Sequence, residues 1–468
     1  MESGITARKA VLVGCLAMLG VCGVAAAASS TPPPGGEPRD LVLSDPARGA
    51  LDNGLRYAFI DFGQAPKATV MVRVRAGALD EQGRTWLASL TGDMMKEGTL
   101  NSSSAELAAR AAAMGGELSV NTGEEFTTVS IDVLGEFAAE GVALIAELLR
   151  RPLFPAAELD RVKRDYQRNL AVQQSQAQSQ AQAAFQRQLY GDHPFGTLFP
   201  EPAQLAGYTI DDVKGFHDDN FGAARTTVYV GGRFDAAAVE AALRAGFGDW
   251  ATGPAARVDI PPPAGGMDIA LIERPGAPQS TLRLGLRTID PSHPDWTRLA
   301  LTNTLLGGYF SSRIIANIRE DKGYSYSPRS LLSPRHGDAY WAQQADVTAE
   351  FTGASLQEIF AELDQLRAEP PGAAELSRVR NFMIGSFTLS NASRFGILGQ
   401  IAFIDAHELP REYLTTYVER IGAITPEQVR ETAQRYLVPE QMSLVVVGDL
   451  EQVRPQLEVL PQLQGQLQ

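Results

Sequence analysis

Thiols are almost missing from this chain. Its 468 residues include two cysteines, Cys15 and Cys22, and both lie in the first 28 residues. If that segment is removed, what remains has no disulfide and no thiolate metal site. Histidine is scarce as well. The five are His193, His217, His293, His336 and His407, and no two stand four apart, the spacing that puts two imidazoles on one helix face. A zinc site with three protein ligands is hard to assemble from that set. Basic residues are in deficit: 41 Lys and Arg against 55 Asp and Glu leave a formal charge of -14. A nucleic-acid binder would be basic. No Gly-x-Ser-x-Gly nucleophile elbow occurs. Beyond the N-terminal segment, no apolar run reaches membrane-spanning length.

What is present reads as an exported globular protein. With 44% apolar and 21% charged residues there is material for sizeable cores. The length implies two to four domains. Residues 1–28 have the form of a secretory signal peptide. Arg8 and Lys9 precede an apolar run that ends in alanines before Ser29. A retained anchor is the alternative. Leu12-Val13-Gly14-Cys15 resembles a lipoprotein box, though it lies close to Lys9 for that purpose. Residues 29–40, rich in Ser, Pro and Gly, read as a disordered tether. The expected location is a bacterial periplasm.

The chain then repeats itself. Thr227-Val228-Tyr229-Val230-Gly231-Gly232 matches Ser443-Leu444-Val445-Val446-Val447-Gly448, and Ala157-Glu158-Leu159-Asp160-Arg161-Val162 matches Ala374-Glu375-Leu376-Ser377-Arg378-Val379, at an offset of 216 or 217 residues. Between the copies, residues 251–266 hold Pro254, three prolines at 261–263 and Gly265-Gly266, which is linker chemistry. The fold class is therefore α+β, with two homologous α/β-layered halves, residues 41–250 and 267–468. In the first half, strands are expected at 68–75 and 127–134. Helices are expected at 86–96, 104–114 and 138–149. The helix starting at Ala156 is expected to continue through the Gln/Ala-rich stretch 173–188 as one long polar helix. Residues 117–121 and 127–134 are candidate edge strands.

The densest signal lies at residues 307–327. Gly307-Gly308 predicts a turn, and Ser311 or Ser312 a helix cap. Phe310, Ile314 and Ile318 predict an apolar stripe, and Gly323 a helix stop. Tyr324 and Tyr326 alternate with serines, as in a strand. Arg319 and Tyr326 stand seven residues apart across that helix end. A guanidinium and a phenol so placed can converge on one carbonyl oxygen or oxyanion. An arginine at a helix C-terminus is favoured electrostatically in any case. Spacing alone favours that plainer explanation.

The pattern as a whole resembles the pitrilysin/insulinase family of zinc peptidases, near the processing-peptidase branch. In the first half the resemblance rests on Asp52-Asn53-Gly54-Leu55-Arg56, Arg75-Ala76-Gly77-Ala78, Lys96-Glu97-Gly98-Thr99 and Tyr190-Gly191-Asp192-His193-Pro194-Phe195-Gly196. In the second it rests on Leu306-Gly307-Gly308 with Ser312-Arg313, and on Ile318-Arg319-Glu320 with Gly323. The resemblance implies two family-type halves forming one side of a clam-shell chamber. It also locates the family's H-x-x-E-H zinc box. Aligned on Leu87 and Gly98-Thr99, Ser89 takes the first histidine position, Gly92 the glutamate base and Asp93 the second histidine, while Asn169 falls at or within a residue or two of the distant ligand glutamate. Every metal position is thus replaced.

In two-chain members one subunit bears zinc and the other an Arg/Tyr pair that contacts the substrate backbone. The resemblance assigns that pair to Arg319 and Tyr326, with Tyr324 a competing candidate. It implies a non-catalytic, substrate-orienting subunit of an exported heterodimeric zinc metalloendopeptidase, with zinc and H-x-x-E-H in the partner and peptides as substrates. No cofactor is expected in this chain. The alternative is a peptide-binding or scaffold protein with no proteolytic role. An autonomous peptidase with a displaced metal site finds neither ligands nor a nucleophile. His193, in a Gly/Pro-rich turn, reads as a structural hydrogen bonder, and His217 as a helix-surface residue.

Overall fold

The structure, a computed structural model, describes residues 42–256 and 267–467 together with Arg39 and Ile260. The expected signal segment 1–28 lies outside the described residues. So do the tether 29–40, apart from Arg39, and most of the linker beyond residue 256. Among the described residues no helix is long and apolar enough to cross a membrane.

Each half builds one sheet. The first contains β1 (Ala47–Ala50), β2 (Arg56–Asp61), β3 (Lys67–Val74), β4 (Ser119–Thr122), β5 (Thr127–Leu134) and β6 (Thr226–Gly232), ordered β1-β2-β6-β3-β5-β4. The second contains β7 (Ile269–Glu273), β8 (Gln279–Thr288), β9 (Arg329–Arg335), β10 (Asp338–Thr348) and β11 (Ser443–Gly448), ordered β7-β11-β8-β10-β9. The halves correspond strand for strand once β1 is set aside. β6 pairs parallel with β2 and antiparallel with β3. β11 pairs parallel with β7 and antiparallel with β8. The repeat seen in sequence is this pair of central strands. Both are buried along their whole length, as strands covered on both faces should be.

Helices cover one face of each sheet from within the same half. Leu90, Met94, Val142, Ile145, Val213, Phe216 and Leu243 join Val70, Val72 and Val129 in the first core. Leu299, Leu356, Phe360, Val429 and Val453 join Leu284, Trp341 and Val446 in the second.

The opposite faces are covered by exchange. Helix Ala177–Tyr190 of the first half lays Ala181, Phe185 and Leu189 against Tyr340, Ala342, Val445 and Val447 of the second sheet. Helix Arg394–Ala406 of the second half lays Ile397, Leu398 and Ile401 against Ala58, Ile60, Met71 and Tyr229 of the first. This corrects the expectation of one long polar helix. The helix from Ala156 ends at Ser175, Gln176 is extended (φ -87°, ψ 127°), and a new helix starts at Ala177. Gln186 is buried along with its i, i+4, i+8 apolar stripe; that stripe belongs to the other half's sheet, and the break lets the chain turn to reach it.

A second correction concerns the edges. β5 is interior, hydrogen-bonded to β3 on one side and β4 on the other. The edge on that side is β4, with β1 at the far edge, so of the two candidates only the 117–121 segment lies at an edge. The halves also meet at two hairpin tips. Arg335, 1% exposed at its side chain, forks onto Glu124 with two 2.7 Å contacts. The same guanidinium donates to the Tyr190 hydroxyl at 2.6 Å, and that hydroxyl donates to Asp338 at 2.7 Å.

Candidate functional site

The positions that the resemblance aligns with the zinc box, Ser89, Gly92 and Asp93, fall on helix Leu87–Met95. The chain enters it through Trp86 in the left-handed region (φ 71°). The Glu81 carboxylate accepts the Ala88 amide at 2.9 Å, supplying the helix start with the acceptor it lacks. Burial pushes the Glu81 pKa up to about 8, against the lowering effect of its backbone hydrogen bonds. Leu87, Leu90 and Met94 anchor the helix in the core. Gly92 faces β4 so closely that a Cβ there would lie 2.5 Å from Thr122 Oγ1. Asp93 points the other way, toward helix Ala156–Ser175. There the Tyr166 hydroxyl donates to Asp93 Oδ2 at 2.6 Å, and Lys96 Nζ pairs with Oδ1 at 2.6 Å. Burial and the Asp93 charge drive the Tyr166 pKa far up, so the phenol stays a donor. Asn169 lies about one helical turn beyond Tyr166 and is exposed.

The fold therefore brings the box helix against the helix of the distant ligand position, but the side chains do not suit zinc. Ser89 offers a hydroxyl and Gly92 nothing. Asp93 is a carboxylate already committed to Tyr166 and Lys96. Among the described residues no group of three or more His, Cys, Asp or Glu side chains is placed to hold a metal ion. The histidines serve packing instead. His193 Nδ1 accepts the Phe195 amide at 3.2 Å, capping a short turn as expected. His217 corrects its expectation: it is buried, stacked on Phe221, and its Nε2 lies 2.8 Å from the Leu149 carbonyl.

The second cluster sits on two π-helical segments, Thr304–Gly308 and Ala316–Asp321. Such turns are often found at functional sites. Gly307 and Gly308 close the first segment rather than forming a turn. Gly307 is there because a Cβ would meet Ser330 Oγ at 2.4 Å. Ser312 stands at the expected cap position, but its hydroxyl makes no cap bond. Gly323, with φ 68°, stops the helical segment as predicted. Ile314 and Ile318 are buried, whereas Phe310 leaves the predicted stripe and is 63% exposed. Its ring lies 4.3 Å from the Arg319 guanidinium, and the Tyr326 ring lies 5.3 Å away from the same group. Arg319 also pairs with Glu320 at 3.1 Å.

Residues 324–328 form no strand; a single bridge joins Ser325 to Val347 before β9 begins. The two tyrosines separate clearly. Tyr324 stacks on Phe351 at 4.6 Å and its backbone bonds to Ile318 and Thr348. Tyr326 is 81% exposed. The structure thus gathers Arg319 and Tyr326, with Phe310 as a partner that sequence reasoning missed. Glu81 and Tyr166 were missed too. Tyr166, one turn before Asn169 on the same helix, was the available signal.

Comparison with known proteins agrees with this fold. Residues 57–201 match the family model for Insulinase (Peptidase family M16), and residues 207–383 match that for the Peptidase M16 inactive domain. An uncharacterized zinc protease of Mycobacterium bovis is 25% identical over 415 residues, covering 86% of this chain and 93% of that protein. One from Bacillus subtilis is 23% identical over 404 residues, covering 86% and 98%. The crystal structure of a peptidase M16 inactive domain from Pseudomonas fluorescens superposes with a TM-score of 0.81 at 23% identity, covering 86% of this chain and 98% of that one. A protease from Helicobacter pylori gives 0.81 at 18% identity, covering 87% and 100%.

Proposed function

Since the chain belongs to the insulinase family of peptidases, we propose that it is a non-catalytic, substrate-orienting subunit of an exported zinc endopeptidase, working with a related partner that carries the metal site. The observation that carries this reading is the contrast between its two clusters. Where the family holds zinc, Asp93 is tied to Tyr166 and Lys96. Yet Arg319 and Tyr326 stand together at the surface beside Phe310. Both are donors. The guanidinium and the phenol orient a peptide carbonyl and hold charge as it develops on that oxygen. The partner supplies metal and water activation.

The test is reconstitution. The pure chain binds no stoichiometric zinc and cleaves no peptide. Mixed with a family member bearing an intact H-x-x-E-H box, it yields activity. In that mixture Arg319→Ala or Tyr326→Phe lowers turnover by about two to three decades while the two chains still co-elute. Normal turnover in both variants would refute the assignment. Secretion to a periplasm belongs to the same proposal and is tested by cell fractionation.

A second reading, peptide binding without cleavage, is favoured by β4. It lies at the edge of its sheet, directly beside the box helix, with Ser119 and Asn121 exposed. Such an edge can take an extended peptide as an added strand. Peptide binding that persists with no activity alongside any box-bearing relative would favour it.

A further inference from the structure

Two arginines near the Tyr326 loop have no acidic partner. Arg283 on β8 and Arg329 at the start of β9 both stand opposite Gln344 of β10, forming one row across three strands. Arg283 is 6% exposed, yet neither it nor Arg329 forms an ion pair among the described residues. Arg283 Nη1 donates to Gln344 at 3.1 Å, its Nε is buried without a hydrogen-bond partner, and its guanidinium lies 5.1 Å over the Phe185 ring. A buried cation is normally matched by a counter-charge. Here burial disfavours the charge, the Tyr340 side chain offsets part of that, and the nearby Arg329 adds repulsion.

These groups line a pocket of about 230 Å³ between helix Ala177–Tyr190 and the second sheet. Gln178, in the first turn of that 14-residue helix, lines it too, so the helix's N-terminal turn borders the same space. The helix cap has no side-chain bond of its own. One carboxylate, Asp346, is in the wall, but it is engaged by the Thr281 hydroxyl at 2.6 Å and the Gln178 amide at 2.5 Å. The pocket rim includes Ser327, the residue after Tyr326.

We propose that this pocket binds a carboxylate of the peptide, either an Asp/Glu side chain or the C-terminus, and so sets which peptides Arg319 and Tyr326 hold. The inference rests on the reading of that pair as peptide-orienting. An extended peptide advances roughly 3.3 Å per residue, so a chain seated at Tyr326 passes the rim within a residue or two. A bidentate guanidinium–carboxylate contact would give Arg283 the counter-charge it lacks.

The full-length chain is titrated with fluorescein-labelled octapeptides of one sequence, read by anisotropy. Each carries a single Glu or Gln at one of the four central positions with an amidated C-terminus. A further pair differs only in a free or amidated C-terminus. The expected result is at least tenfold tighter binding of the carboxylate form, at one central position or at the terminus; the position identifies the source. Arg329→Ala, at an exposed site where folding is not at stake, collapses that ratio toward one, as does Arg283→Gln. Arg319→Ala weakens both members of a pair equally and leaves the ratio intact. A ratio near one for every pair in the unmodified chain, or no binding at all, overturns the pocket inference. An intact ratio with Arg319→Ala binding as tightly as the unmodified chain upholds the pocket and refutes the role given to Arg319.

Discussion

Tyr166 donates a 2.6 Å hydrogen bond to Asp93 across two helices, at a position that the family resemblance aligns with a zinc-box residue. The contact ties the two helices without a metal. A hydrogen bond to a charged acceptor contributes about 1.5–3 kcal/mol. Tyr166→Phe is therefore expected to lower stability by about that amount in urea titrations. Zinc content should not change, since the bond replaces no ligand set.

Gly92 has little room for a side chain. Any side chain at position 92 meets Thr122, whose Oγ1 lies 2.5 Å from the place a Cβ would take. Gly92→Ala should cost about 1–3 kcal/mol by overpacking. Combining it with Thr122→Ala should recover most of that loss, and a double-mutant cycle by chemical denaturation measures the coupling. Additive losses would mean that the strand is not the obstacle.

Glu81 gives the fold a pH dependence. Its folded pKa is raised to about 8 by burial, above the value near 4.3 of an unfolded glutamate. The folded chain then holds a proton that the unfolded chain releases. This contribution is fully present below about pH 4 and is lost as pH rises toward 8. Glu81→Gln should remove that slope while keeping an acceptor for the Ala88 amide. Stability measured from pH 5 to 8 in both proteins checks it; identical slopes would refute it.

Phe310 should matter to activity and Tyr324 should not. Stacking of Arg319 on Phe310 at 4.3 Å is worth about 0.5–1 kcal/mol at an exposed site. Phe310→Ala is then expected to lower turnover of the reconstituted enzyme several-fold. Tyr324→Phe keeps the stack on Phe351 and should leave turnover unchanged. A large loss from Tyr324→Phe would reverse the choice of tyrosine.

The hairpin tips couple the halves through Glu124 and Arg335. Removing the carboxylate leaves a guanidinium whose side chain is 1% exposed without its counter-charge. Loss of one partner of a buried pair costs about 3–5 kcal/mol; Glu124 is partly exposed, so Glu124→Ala belongs near the low end. Calorimetry should show a lowered transition, and its splitting into two would show the halves melting separately.

Much of this protein was legible in order along the chain. The internal repeat, the central strands 226–232 and 443–448, the lack of any H-x-x-E-H pattern and the Arg319/Tyr326 spacing all depend on residue type and periodicity, which sequence carries directly. What sequence could not supply were contacts between distant segments. It gave no sign that the Gln/Ala-rich helix breaks at Gln176 to cover the other half's sheet, because the surface that binds Ala181, Phe185 and Leu189 lies more than 150 residues away. It preferred Tyr326 on spacing but kept Tyr324 as a competitor, since only the contacts with Phe351 and Arg319 tell them apart. Local pattern sets which elements form; which face meets which neighbour is fixed by burying apolar surface between elements far apart in the chain, and only the folded arrangement decides that.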